Sequence, residues 1–163
     1  MQKIVTFLWF NHQAKEAVEL YVSLFENAKI TNTSYFTDSV AKMAGKKPGE
    51  LSTIDFELNG QAFTALNGGP MFRFNEAISI QVHCKTQAEI DRLWEALSKG
   101  GEISACGWLK DAYGLSWQIV PESLDPMLRD PDPAKADRVS AAMLGMAGKL
   151  DLGVLERAYW GEA

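Results

Sequence analysis

Gly107-Trp108-Leu109-Lys110-Asp111-Ala112-Tyr113-Gly114-Leu115-Ser116-Trp117-Gln118-Ile119-Val120-Pro121 is the stretch whose reading decides the fold. Asp111-Ala112-Tyr113-Gly114 has the composition of a tight turn, with the glycine free to take positive φ. Aromatic and β-branched residues flank it on both sides and suit a pleated, half-buried surface. The segment therefore reads as a β-hairpin, ended by Pro121, which cannot donate to the ladder. Along the second strand Leu115, Trp117 and Ile119 point one way, and Ser116, Gln118 and Val120 the other. An amide inside so apolar a strand needs partners, in a core network or in a cleft. Gln118 is thus the residue to explain.

Working outward, a second hairpin with the same logic lies upstream: Leu51 to Leu58 and Gln61 to Leu66, joined by Asn59-Gly60. Ahead of it come a β-prone run from Ile4 to Phe10, an Asn11 cap, and a helix presenting Ala17, Leu20, Tyr21, Leu24 and Phe25 on one face. Lys29 to Thr37 reads as a strand and Asp38 to Glu50 as a polar loop. After Asn67-Gly68-Gly69-Pro70 the pattern restarts with a strand from Ala77 to Cys84 and a helix from Gln87 to Lys99, whose apolar face is Ile90, Leu93, Trp94 and Leu97. Gly100-Gly101 ends that helix, and Glu102 to Ala105 reads as a short strand. Leu20-Tyr21 and Leu24 match Leu93-Trp94 and Leu97 at one offset (93 − 20 = 73), and the turn glycines Gly60 and Gly114 at another (114 − 60 = 54). The chain is a βαβββ unit used twice.

The expected class is α+β: two βαβββ modules forming a curved mixed sheet with a concave cleft, plus C-terminal helices. The boundaries are 1–67 for the first module, 68–76 for a linker, 77–121 for the second module and 122–163 for the helical extension. In that extension Asp125-Pro126 and Asp132-Pro133 mark breaks, Val139, Met143 and Met146 form a stripe, Gly148 interrupts, and Asp151 caps a last helix through Leu155 to Tyr159.

With 163 residues, 47% hydrophobic and 23% charged, the composition supports an ordinary core without staples. A net charge of −5 argues against a nucleic-acid groove, which needs a basic stripe. Cys84 and Cys106 match neither a metal spacing nor a disulfide framework, so two reduced thiols in a cytoplasmic protein are expected. Met1-Gln2-Lys3-Ile4-Val5-Thr6 lacks the apolar core of a signal peptide, and nowhere do about 18 apolar residues run together, so no membrane association is expected.

Two βαβββ modules with these residues resemble the vicinal oxygen chelate superfamily of glyoxalase I, extradiol dioxygenases and bleomycin-resistance proteins. Phe63-Thr64-Ala65-Leu66-Asn67-Gly68-Gly69-Pro70, Phe74-Asn75-Glu76-Ala77-Ile78-Ser79 and Cys106-Gly107-Trp108-Leu109-Lys110-Asp111 are similar to its PhnB-like branch, often labelled 3-demethylubiquinone-9 3-methyltransferase. The methyltransferase label gains no support from the residues. S-adenosylmethionine normally sits beyond a glycine-rich turn after a first strand, and here that strand runs into Asn11-His12-Gln13-Ala14.

The resemblance implies one divalent metal on the concave face, held by His and Glu from the first and last strands of each module. Matching helix and turn anchors places those four positions at Thr6, Thr64, Ser79 and Gln118. Hydroxyls and a neutral amide are poor ligands for Zn²⁺, Fe²⁺ or Ni²⁺. No metal and no cofactor are therefore expected. The expected cleft face carries Thr6, Leu8 and Phe10 from one strand and Ser79, Gln81 and His83 from another, with Thr64, Gln118 and Trp108. Val5, Phe7 and Trp9, like Ile78, Ile80 and Val82, are expected to pack on the helices.

A concave apolar wall with a few convergent polar groups is the usual form of a small-molecule site. The first functional reading is a metal-independent ligand-binding protein. The alternative is a glyoxalase- or dioxygenase-like lyase or isomerase acting on a small substrate, dependent on a metal or on His83 as general base. His12 reads as solvated, Cys84 as a core thiol, Asp55 and Glu57 as the wet side of an edge strand, and Arg73 with Asn75 as an exposed linker pair. A homodimer is implied by the resemblance, with Trp108, Tyr113, Met143 and Tyr159 as interface candidates and module exchange through the Asn67 to Asn75 linker as a variant.

Overall fold

The computed structural model describes residues 4–162; Met1, Gln2 and Lys3, part of the leader reading, lie outside them. The chain divides into two compact units, one ending at Phe74 and the other beginning at Asn75.

In the first unit, β1 (Thr6–Phe10), α1 (Ala14–Leu24), β2 (Ala28–Tyr35), α2 (Asp38–Ala44), β3 (Leu51–Leu58) and β4 (Gln61–Asn67) build a mixed sheet in the order β1-β4-β3-β2. β1 runs parallel to β4, and the other neighbours are antiparallel. Asn59 and Gly60 both take positive φ, 46° and 83°, as a two-residue hairpin turn requires. Ala14, Ala17, Val18 and Tyr21 of α1 pack on Leu8, Phe10, Ile54, Phe56, Phe63 and Ala65. Phe56 stacks on Phe63 at 5.1 Å, and Tyr21 approaches Phe56 at 6.4 Å.

Two local expectations change here. Asp38 to Glu50 is not all loop: Asp38–Ala44 is a helix turning on buried Ala41, closed by Gly45 in the left-handed region at φ 65°. The cap of α1 is not Asn11. The helix begins beyond Gln13, and the Ala14 amide donates to Oδ1 of Asn67 at 2.9 Å, so a buried β4 side chain satisfies that helix end.

The second unit repeats the plan in less chain. β5 (Ile80–Cys84), α3 (Gln87–Ser98), β6 (Glu102–Ile103), β7 (Trp108–Lys110) and β8 (Ser116–Pro121) form a sheet ordered β5-β8-β7-β6, with β5 parallel to β8. Thr86 caps α3 through a bond from the Glu89 amide, and Ile90, Leu93, Trp94 and Leu97 are buried against Cys84, Leu109, Trp117 and Ile119. Each such aliphatic side chain contributes about 1.5–3 kcal/mol on burial. The Asp111 turn forms as expected: the Gly114 amide donates to the Asp111 carbonyl at 3.0 Å, with Gly114 at φ 88°.

Three helices follow, α4 (Leu124–Leu128), α5 (Pro133–Leu144) and α6 (Leu152–Trp160). Asp132 and Asp151 cap α5 and α6 with their side chains. Asp125-Pro126 is no break, because Pro126 falls in the first turn of α4, where a missing N–H costs nothing. Val120, Leu124, Val139, Leu150 and Leu155 form a core cluster, with Met143, Met146 and Tyr159 packed against it. Gln87 ties the last connection down, donating to the Leu150 carbonyl and accepting from the Leu152 amide.

Candidate functional site

The two sheets share one topology, and their ladders show which positions correspond. Phe7 pairs with Thr64 across β1 and β4, and Gln81 pairs with Gln118 across β5 and β8. The strand ends Phe10 and Cys84 are 74 residues apart (84 − 10 = 74), whereas the helix starts Ala14 and Gln87 are 73 apart (87 − 14 = 73). The turn after β1 is one residue longer than the turn after β5. Carrying the helix offset into the strand therefore slips β1 by one residue, which moves every side chain to the opposite face.

That slip corrects the expected site in the first unit. Thr6, Leu8 and Phe10 lie on the α1 side: Thr6 pairs with Phe63, and Leu8 and Phe10 are buried in the core. Phe7 is 59% exposed on the other face beside Thr64, so Thr6 and Thr64 do not meet. Val5 is likewise exposed rather than packed on a helix. Trp9 packs under the glycine loop instead of on α1: its Nε1 donates to the Gly69 carbonyl at 2.9 Å, its ring meets Phe72 edge-on at 5.0 Å, and a Cβ on Gly68 would collide with it. Thr64 has polar neighbours on its own face. Its Oγ1 donates to Asp55 Oδ1 at 2.7 Å, and Asn32 donates to the other Asp55 oxygen at 3.3 Å.

In the second unit the expected group assembles. On the sheet face turned away from α3, Gln81 Nε2 donates to Gln118 Oε1 at 3.2 Å, and Gln118 Nε2 donates to Ser79 Oγ at 2.7 Å. Gln118 is thereby explained as the middle of a neutral hydrogen-bonded row. Trp108 pairs with Gln118 from the next strand and so stands on the same face. His83 follows two residues beyond Gln81, exposed at the end of β5 opposite Val120, with no hydrogen bond holding its ring among the described residues. Val120 roots the C-terminal helices at that end of the strand.

Beside this row lies a cavity of about 280 Å³ lined by Glu76, Glu102, Ile103, Ser104, Trp108, Leu109, Lys110 and Ser116. Glu102 pairs with Lys110, and Lys110 with Ser116, so these three run across the sheet in one row. The Lys110 ammonium contacts Glu102 Oε2 at 2.7 Å and Glu76 Oε1 at 2.8 Å. The hydrogen bond to Glu102, followed by that to Glu76, raises the Lys110 pKa, so it stays charged. The hydrogen bond from Lys110 holds the Glu76 carboxyl below its ordinary range. Ser116 is 1% exposed, and its Oγ is the one buried side-chain polar atom without a partner among the described residues.

Sequence reasoning passed over Lys110, Glu76, Glu102 and Ser116. The signal for two of them was present: Ser116 shares the parity of Gln118, and the Asp111 turn sets Lys110 opposite Ser116. Glu76 lies 34 residues from Lys110 (110 − 76 = 34) outside any strand, and nothing local announces that meeting. Cys84 is a buried thiol, as expected, with its pKa pushed up to about 12 chiefly by burial. Asn75 caps a local turn through the Ala77 amide, and Arg73 is exposed.

The family resemblance implies a divalent metal, and the donors do not fit one. The positions paired across the sheets are Phe7 with Thr64 and Gln81 with Gln118, which supply no imidazole, thiolate or carboxylate. Among the described residues no three His, Cys, Asp or Glu side chains converge as a metal site. No helix among them is long and apolar enough to cross a membrane.

Residues 2–120 match the sequence model of the 3-demethylubiquinone-9 3-methyltransferase family, ending short of α4. The chain belongs to this family. It is thereby PhnB-like, within the vicinal oxygen chelate superfamily. A PhnB protein from Bacillus cereus assigned to the same family is 35% identical, with a TM-score of 0.65 over 73% of this chain and 99% of that one. A protein from Pseudomonas aeruginosa (21% identity, TM-score 0.58, 74% and 98% coverage) shares the fold. So does the fosfomycin resistance protein FosX from Listeria monocytogenes (18% identity, TM-score 0.51, 78% and 97% coverage). No curated protein matches the chain in sequence.

Proposed function

We propose that this PhnB-like chain is a metal-independent small-molecule-binding protein, with its ligand against Gln118, Trp108 and Lys110 on the second sheet. The observation that carries this reading is the cavity of about 280 Å³ beside the neutral row Gln81, Gln118 and Ser79. Amides and hydroxyls orient a ligand's polar groups through directional hydrogen bonds but grip a divalent cation poorly. Trp108 supplies a flat apolar wall. A methyl-transfer reading gains nothing from β1, which runs into Asn11-His12-Gln13 without a glycine-rich turn. Acid–base chemistry at His83 gains nothing from an exposed ring that no described neighbour orients. The same reading makes the protein cytoplasmic, in keeping with its two free thiols, and a homodimer, as the resemblance implies; sedimentation analysis tests the dimer.

Two measurements test the reading. Elemental analysis of protein purified without chelators should give well under one equivalent of Zn, Fe, Mn or Ni; a stoichiometric metal overturns it. A fragment screen by thermal shift should yield ligands that raise Tm, since binding only the folded state stabilises it. Gln118→Leu should remove their effect, and an undiminished effect in that variant overturns the assignment.

A further inference from the structure

We propose that the C-terminal extension positions the ligand-facing strands: the segment from Met146 to Leu150 is a strap that fixes the Cys106-Gly107 turn and, through it, Trp108. The extension lies beyond the family match, which ends at residue 120. The consequence for a ligand rests on the small-molecule reading; the strap itself does not.

The turn between β6 and β7 needs outside support. The Trp108 amide donates to the Ala105 carbonyl at 3.1 Å and the Ser104 amide to the Trp108 carbonyl at 2.9 Å, so Cys106 and Gly107 are the central residues of a tight turn. Both take positive φ, 58° and 80°. Such turns favour Asn-Gly, as at Asn59-Gly60, and a cysteine in the left-handed region persists only where its surroundings hold it. The strap does the holding. The Cys106 amide donates to the Met146 carbonyl at 3.0 Å, the Gly107 amide to the Gly148 carbonyl at 2.8 Å, and the Cys106 thiol to the Met143 carbonyl at 3.4 Å. The Gly107 carbonyl in turn accepts from the Ile119 amide at 2.8 Å, next to Gln118.

The other end of the strap is anchored on α3. Gln87 holds the Leu150 carbonyl and the Leu152 amide, and Lys149 Nζ reaches Asp91 Oδ1 at 2.6 Å. Val120 shares the parity of Gln118 and is buried with Leu124, Val139, Leu150 and Leu155, so the extension also closes that end of the face. Loosening the extension therefore frees Trp108 and the end of the face beyond Gln118 together.

Hydrogen exchange and indole NMR on the ¹⁵N-labelled full chain test this. Gln87→Ala, a change on α3 outside the turn, removes two of the strap's bonds. Exchange at the Cys106 and Gly107 amides should quicken about tenfold along with Leu152, and the Trp108 indole signal should shift, while β5 amides keep their rates. Leu155→Ala, which opens a cavity in the extension's core, should do the same. Adding Cys106→Asn to Gln87→Ala supplies a residue that visits the left-handed region readily, so protection at Gly107 should recover about threefold. Unchanged Gly107 exchange and an unmoved Trp108 signal in both single variants overturn the proposal. Equal quickening across β5 also overturns it, since that marks a general loss of stability, as does a double variant without recovery. None of these readouts involves a ligand, so failure here leaves the small-molecule reading to its own Gln118→Leu test.

Discussion

Asp111 anchors the hairpin that presents Trp108, Lys110, Ser116 and Gln118, and its replacement is a sharp test of how that hairpin is held. The side chain is 3% exposed. Its Oδ1 accepts from the Tyr113 amide at 2.9 Å and the Leu115 amide at 3.1 Å, and its Oδ2 accepts from Trp117 Nε1 at 2.9 Å. Hydrogen bonds to a charged group contribute about 1.5–3 kcal/mol each, so losing all three in Asp111→Ala costs about 4–5 kcal/mol at the low end. Asp111→Asn keeps the Oδ1 acceptor at neutral strength but turns an NH₂ toward the indole N–H, leaving two donors face to face. We expect a loss of about 3 kcal/mol. If the indole clash is the main part, Trp117→Phe should cost much less when combined with Asp111→Asn than in the parent. The double-mutant cycle should then give a coupling of about 1.5 kcal/mol. Urea unfolding followed by circular dichroism supplies the free energies, and hydrogen exchange at the Leu115 amide reads the turn itself. A loss below about 1 kcal/mol in Asp111→Asn, or a coupling within about 0.3 kcal/mol of zero, refutes the account.

Three further outcomes follow from particular contacts. Gly107 sits at φ 80°, with space for a Cβ only 2.7 Å from the Ile119 carbonyl oxygen, so Gly107→Ala should destabilise by more than about 2 kcal/mol in thermal melts; an unchanged Tm contradicts it. Cys84 should resist alkylation at pH 8 until the chain unfolds, as mass spectrometry will show. Because its folded pKa is raised, the stability linked to the neutral thiol is present below the ordinary 9.0 and is lost as pH climbs toward about 12. Glu76 has a lowered pKa, so the stability from its pairing with Lys110 is present above the ordinary 4.5 and lost as pH falls through the lowered value. Carboxyl NMR titration should place its midpoint below 4.5 in the parent and move it upward in Lys110→Met; an unmoved midpoint denies the pairing.

What the chain determined by itself was everything carried by local chemistry. Asn59-Gly60 and Asp111 to Gly114 announced two hairpins, alternation placed Gln118 and Ser116 on one face, and Asp132-Pro133 and Asp151 announced helix starts. The doubled βαβββ plan was legible for the same reason: apolar periodicity survives in each copy. Only tertiary structure decided which face of β1 lies against α1. Thr6, Leu8 and Phe10 alternate as plainly as Phe7 and Trp9, and both sets carry aromatics, so the choice depends on a single extra residue between strand and helix. Tertiary structure also decided that Asn67 caps α1 from 53 residues away, that Glu76 and Glu102 close on Lys110, and that the Ser116 hydroxyl is buried without a partner among the described residues. A charged side chain in a strand looks the same to its sequence neighbours whether it meets water or a partner. Its role is settled only when distant segments fold onto the same face.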